Sequence, residues 1–149
     1  MLRIATIGTS MITDDFIQVV NANDQAAFVG TLSRDANRGA AFTAERGGER
    51  NFTSLDELAA AADVYIGSPN ALHYEQALVC IAGGKHVIVE KPFCATEAQA
   101  LEVFRAAEAA GVVALEAMRP LHDPAFRAIE DALGEIAPIR RASLRFGKY

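Results

Sequence analysis

Short apolar segments alternate with amphipathic segments along most of the chain. The apolar segments predict β-strands at residues 3–8, 27–33, around Phe52, and at 63–68, 86–90 and 112–117. The segments between them have helical periodicity at 13–21, 36–47, 71–82 and 96–110, and a capping box, Ser54-Leu55-Asp56-Glu57, opens a further short helix. Strands that alternate with helices pair in parallel through right-handed crossovers. The pattern therefore predicts an α/β fold with a doubly wound parallel sheet.

The pattern changes after Arg119. Residues 124–133 predict a helix that ends at Gly134, and residues 139–146 alternate apolar and basic side chains, as a strand with one exposed face does. No partner strand follows, so the free edge could pair with another copy of the chain in a homo-oligomer. We predict one domain at residues 1–120, followed at 121–149 by a linker helix and the first strand of a truncated second domain.

Composition and charge argue against several classes of protein. The net charge of −5 argues against a general nucleic-acid surface, so an anionic cofactor would need locally placed donors. The first predicted strand leaves no room for a signal peptide, and no apolar run reaches the length of a membrane span. Two cysteines, Cys80 and Cys94, do not make a disulfide framework, and Cys80 is expected to be a small core residue. We expect a cytoplasmic protein with no membrane partner and no metal site.

The loop after the first predicted strand occupies the place of the dinucleotide-binding turn G-x-G-x-x-G. It reads Gly8-Thr9-Ser10-Met11-Ile12-Thr13 and retains the first glycine, which permits a tight turn. Such a turn still presents free amide groups at a helix N-terminus, where an anion binds. We predict that residues 8–12 contact a cofactor; the alternative is an ordinary turn between a strand and a helix.

The second predicted strand ends in Ser33-Arg34-Asp35. An acidic side chain at this tip binds the ribose 2′-hydroxyl of NAD, whereas a hydroxyl beside an arginine suits the 2′-phosphate of NADP. Asp35 comes one position late and is placed to cap the next helix. We predict NADP, with NAD as the alternative, bound through Ser33 and Arg34. The other interpretation of Arg34 is a solvated surface charge.

The third strand tip reads Ser68-Pro69-Asn70, with His73 one turn later. In the functional interpretation all four residues line the nicotinamide end of the cofactor groove. In the structural interpretation Pro69 stiffens the strand exit, Asn70 caps the helix and His73 is a packed or surface histidine. We assign His73 no role in proton transfer.

The fourth strand tip is Glu90-Lys91-Pro92, where an apolar strand ends in two opposite charges. The ammonium of Lys91 could donate to a ribose hydroxyl or a substrate oxygen, and burial would let it exchange a proton with a substrate hydroxyl. Glu90 pairs with Lys91 or faces away, and the structural alternative is a surface ion pair of little energetic effect. Because four tips with compatible chemistry converge, we predict Lys91 as a catalytic residue, and both Glu90 and Lys91 as part of the cofactor site.

Taken together, these residues resemble the nucleotide-binding half of the Gfo/Idh/MocA oxidoreductases. The most specific motif is S-P-N-x-x-H followed by G-K-H-V-x-x-E-K-P. The matching stretches cover nearly the whole chain and are IATIGTSMIT, GTLSRD, SLDELAAAADVYIGSPNALHYEQA, GGKHVIVEKP and VVALEAMRPLHDPAF. The resemblance implies a Rossmann domain that binds NAD or NADP, in which Lys91 matches a lysine that positions the nicotinamide and takes part in catalysis.

The resemblance also implies a second α/β domain, whose helix supplies an aspartate and a histidine that work with the lysine. The chain departs from this pattern, since it carries Ser10 and Thr13 in the glycine turn and no more of that domain than residues 124–149. We therefore expect the chain alone to be inactive. Met118, Arg119 and His122 face the substrate or form the hinge between the domains.

Two functions are consistent with these residues. The first is the cofactor module of an oxidoreductase that acts on a sugar, a polyol or a related hydroxyl or carbonyl compound. The second is a non-catalytic NAD(P)-binding regulatory protein on the same fold, a role the family resemblance also allows. Lys91 favours the enzyme, and the loss of two glycines favours the regulator. A methyltransferase-like protein would leave Lys91 without a role.

Overall fold

A six-stranded parallel sheet forms the centre of the computed structural model, which describes residues 1–136, 138–145 and 147. The strands are β1 (Leu2–Ile7), β2 (Ala26–Leu32), β3 (Arg50–Phe52), β4 (Asp63–Ile66), β5 (Val87–Val89) and β6 (Ala114–Glu116). Their spatial order is β3-β2-β1-β4-β5-β6, and each neighbouring pair is parallel. This order is that of a doubly wound Rossmann fold, which confirms the prediction from the sequence.

Five helices accompany the sheet: α1 (Met11–Asn21), α2 (Ala36–Glu45), α3 (Leu55–Ala61), α4 (His73–Ala82) and α5 (Glu97–Ala110). Helix α1 packs along β2, α2 along β2 and β3, and α4 along β4 and β5. A single 3-10 turn, Asn70–Leu72, leads into α4. The crossovers bring the turns after β1, β2, β4 and β5 to one edge of the sheet, the carboxyl edge.

The sheet is held by apolar side chains on both faces. The buried strand residues pack with α3, α4 and α5 in one cluster that includes Ala5, Ile66, Val89, Leu58 and Val103. Cys80 belongs to this cluster and is fully buried, as predicted, and burial raises the pKa of its thiol to about 12. The Cys80 thiol is therefore a neutral core group.

The helix caps differ from the sequence predictions in three places. Helix α1 begins at Met11, two residues before the predicted start, because the Ser10 side chain accepts a hydrogen bond from the backbone N–H of Thr13. The structural interpretation of Asn70 as a helix cap is wrong, since neither the 3-10 turn nor α4 has a side-chain cap. The Ser54 capping box is half formed. The Ser54 hydroxyl accepts from the Glu57 backbone N–H, but the Glu57 carboxylate accepts from Thr53 and not from Ser54.

Residues 118–149 form a separate unit from residues 1–117. It contains a short 3-10 helix, Arg119–His122, and the predicted helix, here α6 (Pro124–Leu133), which Asp123 caps. The predicted strand at 139–146 is wrong over residues 139–145, which have no regular structure, and Phe146 lies outside the described residues. An isolated strand has no neighbouring backbone with which to form hydrogen bonds, so the alternation of apolar and basic side chains is not sufficient to form a strand here. Among the described residues, every helix is too short or too polar to cross a membrane.

Candidate cofactor-binding site

A cavity of about 710 Å³ lies at the carboxyl ends of β1, β2 and β4. This is the point where the strand order reverses, and ligands bind there in open α/β sheets. The predicted residues that line the cavity are Gly8, Thr9, Ser10, Ser33, Arg34, Ser68 and Pro69. The predicted residues outside its lining are Met11, Ile12, Asn70, His73, Glu90 and Lys91. The structure thus brings three of the four predicted strand tips to one cavity, and the fourth tip follows the neighbouring strand β5.

The turn after β1 approaches the turn after β4 so closely that position 8 requires glycine. Gly8 has a φ of +102°, and a methyl group there would lie 2.7 Å from the carbonyl oxygen of Gly67. Its backbone N–H donates to the carbonyl of Leu32 at 2.9 Å, which fixes the turn against β2. The turn can therefore present its own backbone to a bound phosphate, as the first glycine of the dinucleotide motif does.

Thr13, where the motif has its third glycine, is accommodated by a different glycine. Thr13 is fully buried and its hydroxyl lies 2.9 Å from that of Ser10. A methyl group at Gly67 would lie 2.5 Å from the Thr13 hydroxyl oxygen, so the missing side chain at position 67 makes the room. The close approach of helix and strand is thus preserved without the third motif glycine. Sequence reasoning missed Gly67, although a glycine at a strand exit was a visible signal.

The tip of β2 carries the arginine that was predicted and a second one that was not. Arg34 is exposed and forms no ion pair with a described residue. Arg38, one turn later on α2, also lines the cavity, and its guanidinium donates to the carbonyl of Thr9 at 3.2 Å. The Asp35 carboxylate accepts from the Arg38 backbone N–H at 3.0 Å, so it caps α2 as predicted. The helical spacing of Arg34 and Arg38 was the signal for the second arginine.

His73 joins the turns that follow β4 and β5. Its Nε2 lies 2.9 Å from the carbonyl oxygen of Ser68, and its Nδ1 lies 2.9 Å from that of Pro92. The imidazole is fully buried, so it has no surface open to the cavity. Of the two interpretations made from the sequence, this position matches a packed histidine.

Glu90 and Lys91 form an ion pair at the end of β5. The Glu90 carboxylate, 11% exposed, accepts from the Tyr65 hydroxyl at 2.6 Å and from the Lys91 ammonium at 3.3 Å. Burial alone would raise the pKa of Glu90, but the hydrogen bonds from Tyr65 and Lys91 outweigh it and the pKa is lowered. The Lys91 side chain is 51% exposed, so the burial expected for it is not found.

Two further groups that support this tip were missed from the sequence. Tyr65 lies on β4, and Glu116, at the end of β6, accepts a hydrogen bond from the backbone N–H of Phe93 at 2.9 Å. Both are more than twenty positions from their partners in the chain, and only the strand register brings them together. Local patterns carry no signal for such contacts.

This sheet order, its glycine turn and the cavity at the switch point define a dinucleotide-binding Rossmann domain. Comparison with known proteins agrees, since residues 2–118 match the family model described as an oxidoreductase family with an NAD-binding Rossmann fold. The chain belongs to this family, the Gfo/Idh/MocA oxidoreductases.

Several relatives are known dehydrogenases or reductases. The chain is 38% identical to the scyllo-inositol 2-dehydrogenase (NADP(+)) of Bacillus subtilis, over all of this chain and 46% of that protein. It is 37% identical to the 1,5-anhydro-D-fructose reductase of Ensifer adhaerens, over 91% of this chain and 41% of that protein. A 3-ketoreductase of Actinomadura kijaniata, solved with NADP, superposes with a TM-score of 0.83 at 30% identity, over 90% of this chain and 44% of that one. The chain thus spans less than half the length of these relatives.

Proposed function

We propose that this chain is the NADP-binding module of an oxidoreductase that acts on a sugar, a polyol or a related hydroxyl or carbonyl compound. The family membership supports the oxidoreductase class. The substrate class is supported by two relatives, one acting on scyllo-inositol and one on 1,5-anhydro-D-fructose. Because the chain spans less than half of these relatives, we propose that turnover also needs the portion they have outside the match.

The preference for NADP rests on the two guanidinium groups at the tip of β2. Arg34 and Arg38 both line the cavity, and a guanidinium binds phosphate through charge and paired hydrogen bonds. The nearest carboxylate, Asp35, is engaged in capping α2 and is therefore poorly placed to accept from a ribose hydroxyl. This pair of arginines is the observation that carries the proposal.

The other strand tips fit the rest of a dinucleotide. The Gly8 turn and the first amides of α1 would hold the pyrophosphate, and the turn after β4 would line the nicotinamide end. The bound cofactor supplies or accepts a hydride. We propose that Lys91 extends from the tip of β5 to hold a substrate oxygen and to move a proton at that oxygen. We place the domain boundary at residues 120 and 121, close to the division after Ala117.

The test uses adenosine 2′,5′-bisphosphate and AMP, which differ only in the 2′-phosphate. Calorimetric titration of the chain should show tighter binding of the bisphosphate by about tenfold or more, since charged hydrogen bonds to phosphate are strong. Arg34→Gln and Arg38→Gln should each reduce this difference. The control is Arg105→Gln, which removes an exposed arginine on α5 that does not line the cavity. Equal affinities for the two nucleotides in the unaltered chain would overturn the NADP assignment.

A further inference from the structure

Tyr65 is a buried aromatic residue whose hydroxyl meets a buried carboxylate. Its side chain lies on β4, is 2% exposed and stacks on Phe16 of α1 with ring centroids 4.0 Å apart. The hydroxyl donates to Oε1 of Glu90 at 2.6 Å. A buried carboxylate is stable only when hydrogen bonds replace its hydration, and Tyr65 provides one of them.

The other oxygen of the same carboxylate holds Lys91. Oε2 of Glu90 accepts from the Lys91 backbone N–H at 3.2 Å and from the Lys91 ammonium at 3.3 Å. Each oxygen of the carboxylate thus accepts from a different residue, one from the buried Tyr65 hydroxyl and the other from the half-exposed Lys91. Any rotation of the carboxylate that improved one contact would disturb the other, so the Tyr65 hydroxyl restrains the place where the ammonium can pair.

We propose that Tyr65 is a positioning residue for Lys91 and acts through the carboxylate of Glu90. Tyr65 does not line the cofactor cavity, so it has no direct contact to make with a ligand there. The catalytic value of this arrangement rests on the proposed function of Lys91, whereas the arrangement itself rests on the contacts of Tyr65, Glu90 and Lys91 alone.

The protonation behaviour of Glu90 gives a readout of this restraint. Burial favours the neutral carboxyl, and the hydrogen bonds from Tyr65 and Lys91 reverse that preference and lower the pKa. Without the Tyr65 hydroxyl, the groups that oppose the effect of burial on the pKa of Glu90 are, among the described residues, the backbone N–H and the ammonium of Lys91. The pKa of Glu90 then rises, and the carboxylate, no longer held at Oε1, can rotate away from the position in which Oε2 pairs with Lys91.

The variant Tyr65→Phe removes the hydroxyl and retains the ring that stacks on Phe16. The matched control is Tyr74→Phe, because Tyr74 lies on α4 and the carboxylate that raises the pKa of its hydroxyl is that of Glu102, not that of Glu90. The carboxyl group of Glu90 is followed by carbon-13 NMR as the pH is lowered, and Glu90→Gln identifies its signal. We expect a raised pKa of Glu90 in Tyr65→Phe and the unaltered pKa in Tyr74→Phe.

A second readout follows the amine directly. Limiting acetic anhydride acylates exposed lysines, and mass spectrometry of the digested chain compares Lys91 with Lys85, an internal reference. Because the ion pair engages the Lys91 amine, which is half exposed, weakening the pair should speed acylation at Lys91 by about two- to fivefold in Tyr65→Phe and in Glu90→Gln, with Lys85 unchanged. Tyr74→Phe should match the unaltered chain.

The outcomes separate this proposal from the proposed function. An unaltered Glu90 titration or an unaltered Lys91 acylation rate in Tyr65→Phe would overturn the positioning role. Failure of the unaltered chain to bind NADPH would instead overturn the cofactor assignment, and it would leave both Tyr65 readouts measurable.

Discussion

Among single residues, the close approach of neighbouring backbone segments restricts which residues can occupy the site more than the chemistry of the side chains does. Gly8 is required because its φ is +102° and a carbonyl oxygen lies where its side chain would be. Gly67 is required because the Thr13 hydroxyl occupies the equivalent space. The sequence indicated the first requirement through its resemblance to a glycine turn. It did not indicate the second, because that contact joins residues more than fifty positions apart.

The Gly8 turn gives the first prediction. Gly8→Ala should lower the free energy of unfolding by about 2 kcal/mol or more, since it adds a clash to an unfavourable backbone conformation. Gly84→Ala is the control, because Gly84 also has a positive φ, +71°, but has open space around it. That variant should lose about 1 kcal/mol from conformation alone. Urea denaturation measures both, and equal losses would show that the approach to Gly67 is not the constraint.

Lys91 is the residue on which the chemical role depends. In an active enzyme that contains this chain, Lys91→Ala should lower the rate of hydride transfer by about 100-fold or more, the usual effect of a positioned proton-transfer group. Binding of NADPH should change far less, because Lys91 lies outside the cavity lining. Lys85→Ala, in the turn after α4, is the control for loss of a lysine. Turnover that Lys91→Ala leaves intact would remove the residue from the mechanism.

At the scale of elements, periodicity predicted the strands and helices well, and contacts between them set their ends. The order of strands and helices in residues 1–117 matches the pattern of apolar positions. The start of α1 was wrong by two residues because the Ser10 cap determines it. The strand predicted at 139–146 is wrong over its described part. Alternating apolar and basic side chains indicate only which face would be exposed, and a strand also needs a neighbouring backbone with which to form hydrogen bonds.

The turns after β4 and β5 are coupled by His73, which gives an element-scale prediction. His73→Leu removes the imidazole, which when neutral donates to one of the carbonyls of Ser68 and Pro92, so a buried acceptor loses its donor and the free energy of unfolding should fall by about 2 kcal/mol. The exposed His122 in the 3-10 helix after β6 supplies the control, and His122→Leu should change stability by less than about 0.5 kcal/mol. Comparable losses in the two variants, measured by denaturation, would argue that the link through His73 is not stabilising.

At the scale of the whole molecule, the parallel sheet is what assembles the site. Every strand ends at the same edge, so Gly8, Arg34 and Ser68 line one cavity although they are distant in the chain, and Lys91 follows the neighbouring strand β5 at that edge. This convergence could be predicted from the order of elements alone. The supporting contacts of Arg38 and Tyr65 could not, because they depend on how helices and strands lie against one another in three dimensions.

Acid should weaken the molecule partly through Glu90. The pKa of Glu90 is lowered from its usual 4.5, so its charge stabilises the fold above that value and the contribution is lost as the pH falls through the lowered pKa. Glu90→Gln has no charge at this position and therefore lacks this contribution to stability. The stability difference between the unaltered chain and Glu90→Gln should therefore shrink as the pH falls from about 7 to below 4.5. A difference that stays constant across this range would mean that the Glu90 charge is not stabilised by folding.

We propose that the cavity between the turns after β1, β2 and β4 binds a nicotinamide dinucleotide with a 2′-phosphate. The decisive experiment is fluorescence titration of the unaltered chain with NADPH and with NADH. We predict saturable binding of NADPH, tighter than that of NADH. Binding of neither dinucleotide, or tighter binding of NADH, would contradict it.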